Sequence, residues 1–246
     1  MVRQERAEQT REALLGAAAA EFDRNGYHGT SLSRVCKSAG VTMGALTFHF
    51  PAKADLADAV QASGCRATGG VLRGYRQAAP GLRTAAGLTD ALVGLLEREP
   101  VVRAAARLSR ERPDTGADWY AAWLPVLEHC LPHTDLGIDP VIGPVPVLQL
   151  AHAPLAHGSA GTRTPVRAPR GGGARAAGGQ AGALASLVRY LVVGAESALR
   201  EEADRPGPHE AHTPGVQGAP RAGAARHHLA WFWTAVAAGA DATAVE

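Results

Sequence analysis

The sequence predicts an all-α protein, and three observations carry that prediction. Apolar residues recur at intervals of three and four along most of the chain, helix start and stop residues stand at the ends of those stretches, and no alternating strand pattern of useful length interrupts them. With 246 residues, 46% of them hydrophobic, the chain is long enough to bury the core of one large domain or two small ones.

The elements follow in order. From Arg6 to about Arg24, Leu14, Ala18 and Phe22 recur every four residues with Leu15 on the same face, and Gly26 ends the helix. Thr30 or Ser31 supplies an N-cap hydroxyl to a short second helix that turns Leu32, Val35, Cys36 and Ala39 inward, and Gly40 stops it as a residue able to take positive φ. Thr42 caps a third helix one tight turn later. Pro51 closes it, because the residue before a proline disfavours the helical region. This is helix-turn-helix spacing, with Val35, Ala39, Val41 and Leu46 locking the pair and Phe48 and Phe50 expected in the core.

A fourth helix runs from Ala52 towards Tyr75 with Leu56, Ala59 and Val60 inward. Its Gly64, Gly69, Gly70 and Gly74 each cost about 1 kcal/mol relative to alanine and predict a soft or bent rod. Helical patterns resume over Leu82 to Arg98, over Pro100 to Arg112 with proline in the first turn, and over Asp114 to Cys130 with Asp114 as the cap. Between Pro140 and Gly182 the chain turns rich in Pro, Gly, Ala and Arg without a helical period, and residues 141–182 read as a disordered insertion or as a stretch in a shifted reading frame. Helix returns at Ala183 to Asp204, where Leu184, Leu187, Leu191, Ala195 and Leu199 align, and again at Ala224 to Ala238. Tyr190, Leu229, Trp231, Phe232 and Trp233 give these two helices more apolar surface than a solitary pair can hide, so a homodimer is expected.

A net charge of +2 permits an anionic partner without requiring one. Three widely spaced cysteines define neither a disulfide framework nor a metal motif, the N-terminus lacks an apolar signal core, and no run reaches the roughly 18 apolar residues of a spanning helix. A cytoplasmic protein without membrane contact is expected. Nothing reads as catalytic: no nucleophile elbow, phosphate-binding glycine loop or facing carboxylate pair is present, and no metal or cofactor is expected.

The third helix points to double-stranded DNA. Short side chains at Thr42, Gly44 and Ala45 would let its backbone approach base edges in a major groove, while Thr30, Ser31, Ser33, Thr47, His49 and Lys53 are placed for phosphate oxygens. The stretch GYHGTSLSRVCKSAGVTMGALTFHFPAKADLADAV, residues 26 to 60, resembles the DNA-binding domain of the tetracycline-repressor (TetR) family of bacterial transcription regulators. That resemblance implies a DNA-binding domain over residues 8–68, a helical ligand-binding and dimerisation domain over 75–240, and a near-palindromic operator. It departs at Thr47, where the family commonly has Tyr, and at Met43, a DNA-facing position where one subgroup often has Lys, which predicts a shallower salt dependence.

The subgroup is suggested again by RPDTGADWYAAWL, residues 112 to 124, which resembles the ligand-binding region of γ-butyrolactone autoregulator receptors. On that resemblance Trp119, with Tyr120 and Trp123, would line a pocket for a small signalling molecule that releases a repressor from its operator. Two other readings stay open at this point: an effector that is an antibiotic or biosynthetic intermediate, and a ligand-independent DNA-binding dimer with Trp119 and Trp123 packed solid.

Overall fold

The computed structural model describes residues 2–115, 117–131, 174–203 and 224–243, and every regular element among them is a helix. These are α1 (Val2–Gly29), α2 (Leu32–Ala39), α3 (Met43–His49), α4 (Lys53–Tyr75), α5 (Leu82–Arg98), α6 (Pro100–Glu111), α7 (Trp119–Cys130), α8 (Ala174–Ala203) and α9 (Ala224–Thr243).

Local chemistry places most of the boundaries. At Gly40 the backbone turns left-handed (φ 68°, ψ 29°), and the Val41 N–H reaches back to the Cys36 carbonyl at 3.0 Å, so α2 ends in a glycine C-cap. Thr42 Oγ1 accepts the Ala45 N–H at 3.2 Å and starts α3. Asp55 Oδ2 accepts the Ala52 N–H at 2.9 Å and starts α4. Gly26 does not end α1 outright: it breaks the helix at φ 68°, after which the chain makes one more turn to Gly29.

Two expectations at helix starts fail. Asp114 caps nothing; residues 112–115 close a separate turn in which Thr115 bonds back to the Arg112 carbonyl, and Asp118 caps α7 by accepting the Tyr120 N–H at 2.8 Å. The segment expected to be disordered is helical over residues 174–182, where alanines at 174, 176, 177 and 181 favour helix and the next turn is anchored by Leu184. The remainder of that segment, 141–173, lies outside the described residues.

Two cores share one wall. Leu14, Ala18, Phe22, Val35, Leu46, Phe50, Leu56 and Val60 form the core of the N-terminal head. Leu72, Leu88, Leu92, Trp119, Tyr120, Trp123, Leu127, Val188, Val192 and Trp233 form the core of the body. Helix α6 closes both, with Ala104 and Leu108 on the head side and Val102, Ala105 and Ala106 on the body side. The expected domain division between residues 68 and 75 falls inside α4, which gives Leu56 and Val60 to one core and Leu72 to the other.

The glycines of α4 are not equivalent. A Cβ on Gly64 would overlap the Ala105 methyl and stand 2.8 Å from the Val101 carbonyl oxygen, so this glycine lets α4 and α6 approach closely, whereas Gly69 has nothing within 4 Å. Gly64→Ala is therefore expected to destabilise by about 1–3 kcal/mol through overpacking. Gly69→Ala and Gly70→Ala are each expected to stabilise by about 0.5–1 kcal/mol. Urea midpoints at fixed protein concentration check the opposite signs.

On α8, Leu184, Val188 and Val192 point inward, but Leu187, expected on that face, is exposed together with Tyr190. On α9, Leu229 and Trp233 are buried and Trp231 is 71% exposed. Against the expectation of no spanning run, Ala181–Glu201 is long and apolar enough to cross a membrane by length and composition. In the fold its Leu184, Ala185, Val188 and Val192 pack into the body core, and its Glu196 is fully buried between two arginines.

Candidate nucleic-acid interface and buried aromatic cluster

Helix α3 is held from below by Leu46 and Phe50, four residues apart and buried in the head core. A residue midway between them lies about 200° around the helix at 100° per residue. Phe48 is that residue, and it is 81% exposed. The expectation that Phe48 belongs to the core is thereby corrected; the helical period around Leu46 and Phe50 was the signal that could have found it. Its ring is steadied from the side by His49, edge to face at 5.3 Å.

The DNA-facing residues expected from sequence divide into free and committed groups. Thr42, Met43 and Gly44 are exposed and Ala45 half-buried along the outer side of α3. Thr42 accepts a bond from its own helix but keeps its hydroxyl proton for an outside acceptor. Thr47 is exposed, yet its hydroxyl is directed at the Met43 and Gly44 carbonyls at 3.1 and 3.2 Å. Ser31 stands at the N-cap of α2 without a side-chain bond to the helix, and Ser33 is exposed beside it.

Thr30 is different. It is buried, and its hydroxyl donates to the Gly26 carbonyl at 2.6 Å, so it braces the broken end of α1 and is withdrawn from any phosphate. Lys53 is half-buried; its ammonium donates to the Thr30 carbonyl at 2.7 Å and the His28 carbonyl at 3.4 Å and lies 4.9 Å from the Tyr27 ring centre. Burial lowers its pKa from the ordinary lysine value. It ties α4 to the turn after α1 and keeps one N–H for an outside acceptor.

The electrostatics of this face are one-sided. Residues 24–54 contain no Asp or Glu while carrying Arg24, Arg34, Lys37 and Lys53. Arg34 is used internally, bonding Glu21 at 3.0 Å and the Gly29 carbonyl at 2.8 Å, but Lys37 is exposed at the end of α2 and sequence reasoning overlooked it. Such a surface favours a polyanion.

The head is locked to the body through arginines of α6. The break at Gly26 leaves the Tyr27 N–H free, and Glu111 accepts it at 2.5 Å. Arg107 bonds Glu111 at 2.7 Å and reaches the Asp23 and Arg24 carbonyls at 2.8 and 3.0 Å, capping the main part of α1. Arg103 pairs with Asp23 at 2.7 Å, and Arg112 bonds Gln61 of α4 at 3.0 Å while lying 4.7 Å from the Tyr27 ring centre. A Cβ on Gly26 would stand 2.5 Å from the Glu111 carboxylate and 2.7 Å from the Arg107 guanidinium, side-chain ends that would have to shift, while the positive φ is what calls for glycine.

Trp119, Tyr120 and Trp123 lie together in the body core, essentially without exposure, with ring centres 5.1 to 6.2 Å apart. The Trp119 indole donates to Thr68 Oγ1 of α4 at 2.8 Å, and its backbone N–H to Ser109 Oγ of α6 at 2.9 Å. Tyr120 accepts from Arg110 at 2.8 Å, and Arg189 of α8 lies 5.1 Å from its ring centre. Trp123 Nε1 is buried with no acceptor among the described residues. A depression of about 400 Å³ on α7 is lined by Arg76, Ala121, Ala122, Pro125, Val126 and His129, and so does not involve the three aromatic residues.

Three helices with a tight glycine turn, a capped and outward-facing third helix, and an all-α body define a helix-turn-helix protein. The family described as bacterial regulatory proteins, tetR family, matches residues 14–60. The chain is 43% identical over 60 residues to the A-factor receptor protein of Streptomyces griseus, which covers 24% of this chain and 22% of that protein. It thus spans under a quarter of that curated relative's length. Among solved structures, it is 34% identical to a gamma-butyrolactone receptor (ArpA-like protein), covering 60% of this chain and 75% of that one at a TM-score of 0.45. It is 35% identical to the TetR family protein CprB from Streptomyces coelicolor in complex with its operator sequence, covering 55% of this chain and 70% of that one at a TM-score of 0.47. The chain belongs to the TetR family of bacterial regulatory proteins.

Proposed function

We propose that the protein is a homodimeric transcriptional repressor that lays α3 of each subunit in a major groove of a near-palindromic operator and is released by a small signalling molecule of γ-butyrolactone type. The observation that carries the reading is α3 itself: its inner side is anchored by Leu46 and Phe50, and its outer side belongs to a segment, residues 24–54, that carries basic residues and no carboxylate. Thr42 is the free donor on that side, with Ser31, Ser33, Lys37, His49 and Lys53 around it as candidates for phosphate. The exposed Leu187, Tyr190 and Trp231 of α8 and α9 supply the surface for the second subunit. The relatives named as gamma-butyrolactone receptors support the effector class.

The packing of Trp119, Tyr120 and Trp123 supports a second reading, a DNA-binding dimer that needs no effector, because all three are enclosed and two have hydrogen-bonded partners. Trp123, whose indole N–H has no acceptor among the described residues, is the member best suited to an added acceptor such as a lactone carbonyl. Selection of duplex fragments from a random pool, followed by titration of γ-butyrolactones with tryptophan fluorescence and fragment release as readouts, separates the readings. The first requires both signals to change at one ligand concentration; the second predicts fragment retention unaffected by any lactone. Failure to retain any fragment in low salt rejects both.

A further inference from the structure

We infer that α3 reads its half-site chiefly through thymine C5-methyl groups, with Phe48 and Met43 as the specificity-determining side chains. The inference rests on the operator-binding reading above and names what that site selects. Met43, Gly44, Thr47 and Phe48 follow one another at i, i+1, i+4 and i+5 and form the outward strip of α3. All four are exposed, Met43 by 42% and Phe48 by 81%.

These four residues offer no side-chain donor to a base edge; the free donor on this side is Thr42, at the N-cap beside them. Met43 and Phe48 have no N–H or O–H, Gly44 has no side chain, and the Thr47 hydroxyl is spent on the Met43 and Gly44 carbonyls. Guanine presents two acceptors in the major groove and is read by arginine or lysine; adenine is read by an amide; thymine alone presents a methyl group, which apolar side chains contact. A strip made of a thioether, a backbone, a threonine methyl and a phenyl ring therefore matches A·T pairs read from the thymine strand. The His49 ring lies edge to face with the Phe48 ring at 5.3 Å.

The occupant is DNA and not an apolar protein surface because of the charge of the segment that carries the strip: residues 24–54 hold no carboxylate, Lys37 stands exposed on the neighbouring helix, and the first acid beyond, Asp55, is engaged as the cap of α4.

The test uses the full chain and a duplex selected from a random-sequence pool. Single thymines of each half-site are replaced by deoxyuridine, which removes only the methyl, and affinity is measured at constant salt. One or two positions per half-site are expected to lose about four-fold each, the equivalent of one buried methyl. That loss should vanish in Phe48→Ala or Met43→Ala, both surface changes that leave the head core untouched. Equal affinity for thymine and deoxyuridine at every position, with the duplex still bound, overturns the inference and leaves the regulator reading standing. If no duplex is retained while Phe48→Ala abolishes self-association, α3 is a protein contact and both fall.

Discussion

Glu196→Ala lowers the free energy of unfolding by about 3–5 kcal/mol, the loss that follows when one partner of a buried charge cluster is removed. Glu196 is fully buried on α8, with Arg110 of α6 on one carboxylate oxygen and Arg200 on the other at 2.7 Å. Arg110 also donates to the Tyr120 hydroxyl at 2.8 Å, so a single carboxylate joins α6, α7 and α8. Without it two partly buried guanidinium groups face each other with nothing between them. Glu196→Gln keeps the shape but not the charge and should fall between wild type and alanine. Replacing Arg110, Glu196 and Arg200 together by apolar residues of similar volume should recover much of the loss, because the cluster's cost of desolvation disappears with its attraction. Urea unfolding at one protein concentration measures all three variants. If Glu196→Ala unfolds at the wild-type midpoint, Glu196 is not the joint between these helices.

Trp119→Ala is expected to cost about 3–5 kcal/mol, as large-to-small changes at buried aromatic sites do. The residue fills space between α4, α6 and α7, and it is bonded at both its indole and its backbone nitrogen. Trp123 offers the contrast. Its indole N–H has no acceptor among the described residues, so Trp123→Phe loses volume but no hydrogen bond, whereas Trp119→Phe also strands the Thr68 hydroxyl's partner position. Trp119→Phe should therefore be the more destabilising of the two by about 1 kcal/mol. Equal midpoints for the two phenylalanine variants would show that the Trp119–Thr68 bond contributes nothing. These measurements also bear on the effector: a tryptophan that chiefly supports the core lowers stability when removed, and one that chiefly holds ligand lowers affinity.

The head was legible in the sequence because its signals are local. Gly40, Thr42 and Pro51 each act on backbone groups within five residues, and each does in the fold what its chemistry implies. The body was legible as a series of helices but not as a packing. Leu187 fits the inward line of α8 as well as Val188 does, and only the arrival of neighbouring helices turns one out and the other in. Among the expected interface residues, Ser31, Ser33 and the α3 positions Thr42 to Ala45 stand where a duplex could reach them in whole or in part, while Thr30 is drawn inward. That inward turn depends on the broken end of α1, which leaves the Gly26 carbonyl for the Thr30 hydroxyl and the Thr30 carbonyl for Lys53.

By itself, then, the chain's order of residues determined the class of fold, the helix-turn-helix and the inner anchors Leu46 and Phe50, since caps, breakers and a helical period depend on neighbours a few positions away. Tertiary structure alone decided that Leu187 faces water, that Gly64 is a contact and not a weakness, and that Glu196 lies inside. Each of those outcomes requires a partner surface or a counter-charge brought from another helix, and no pattern along one segment contains it.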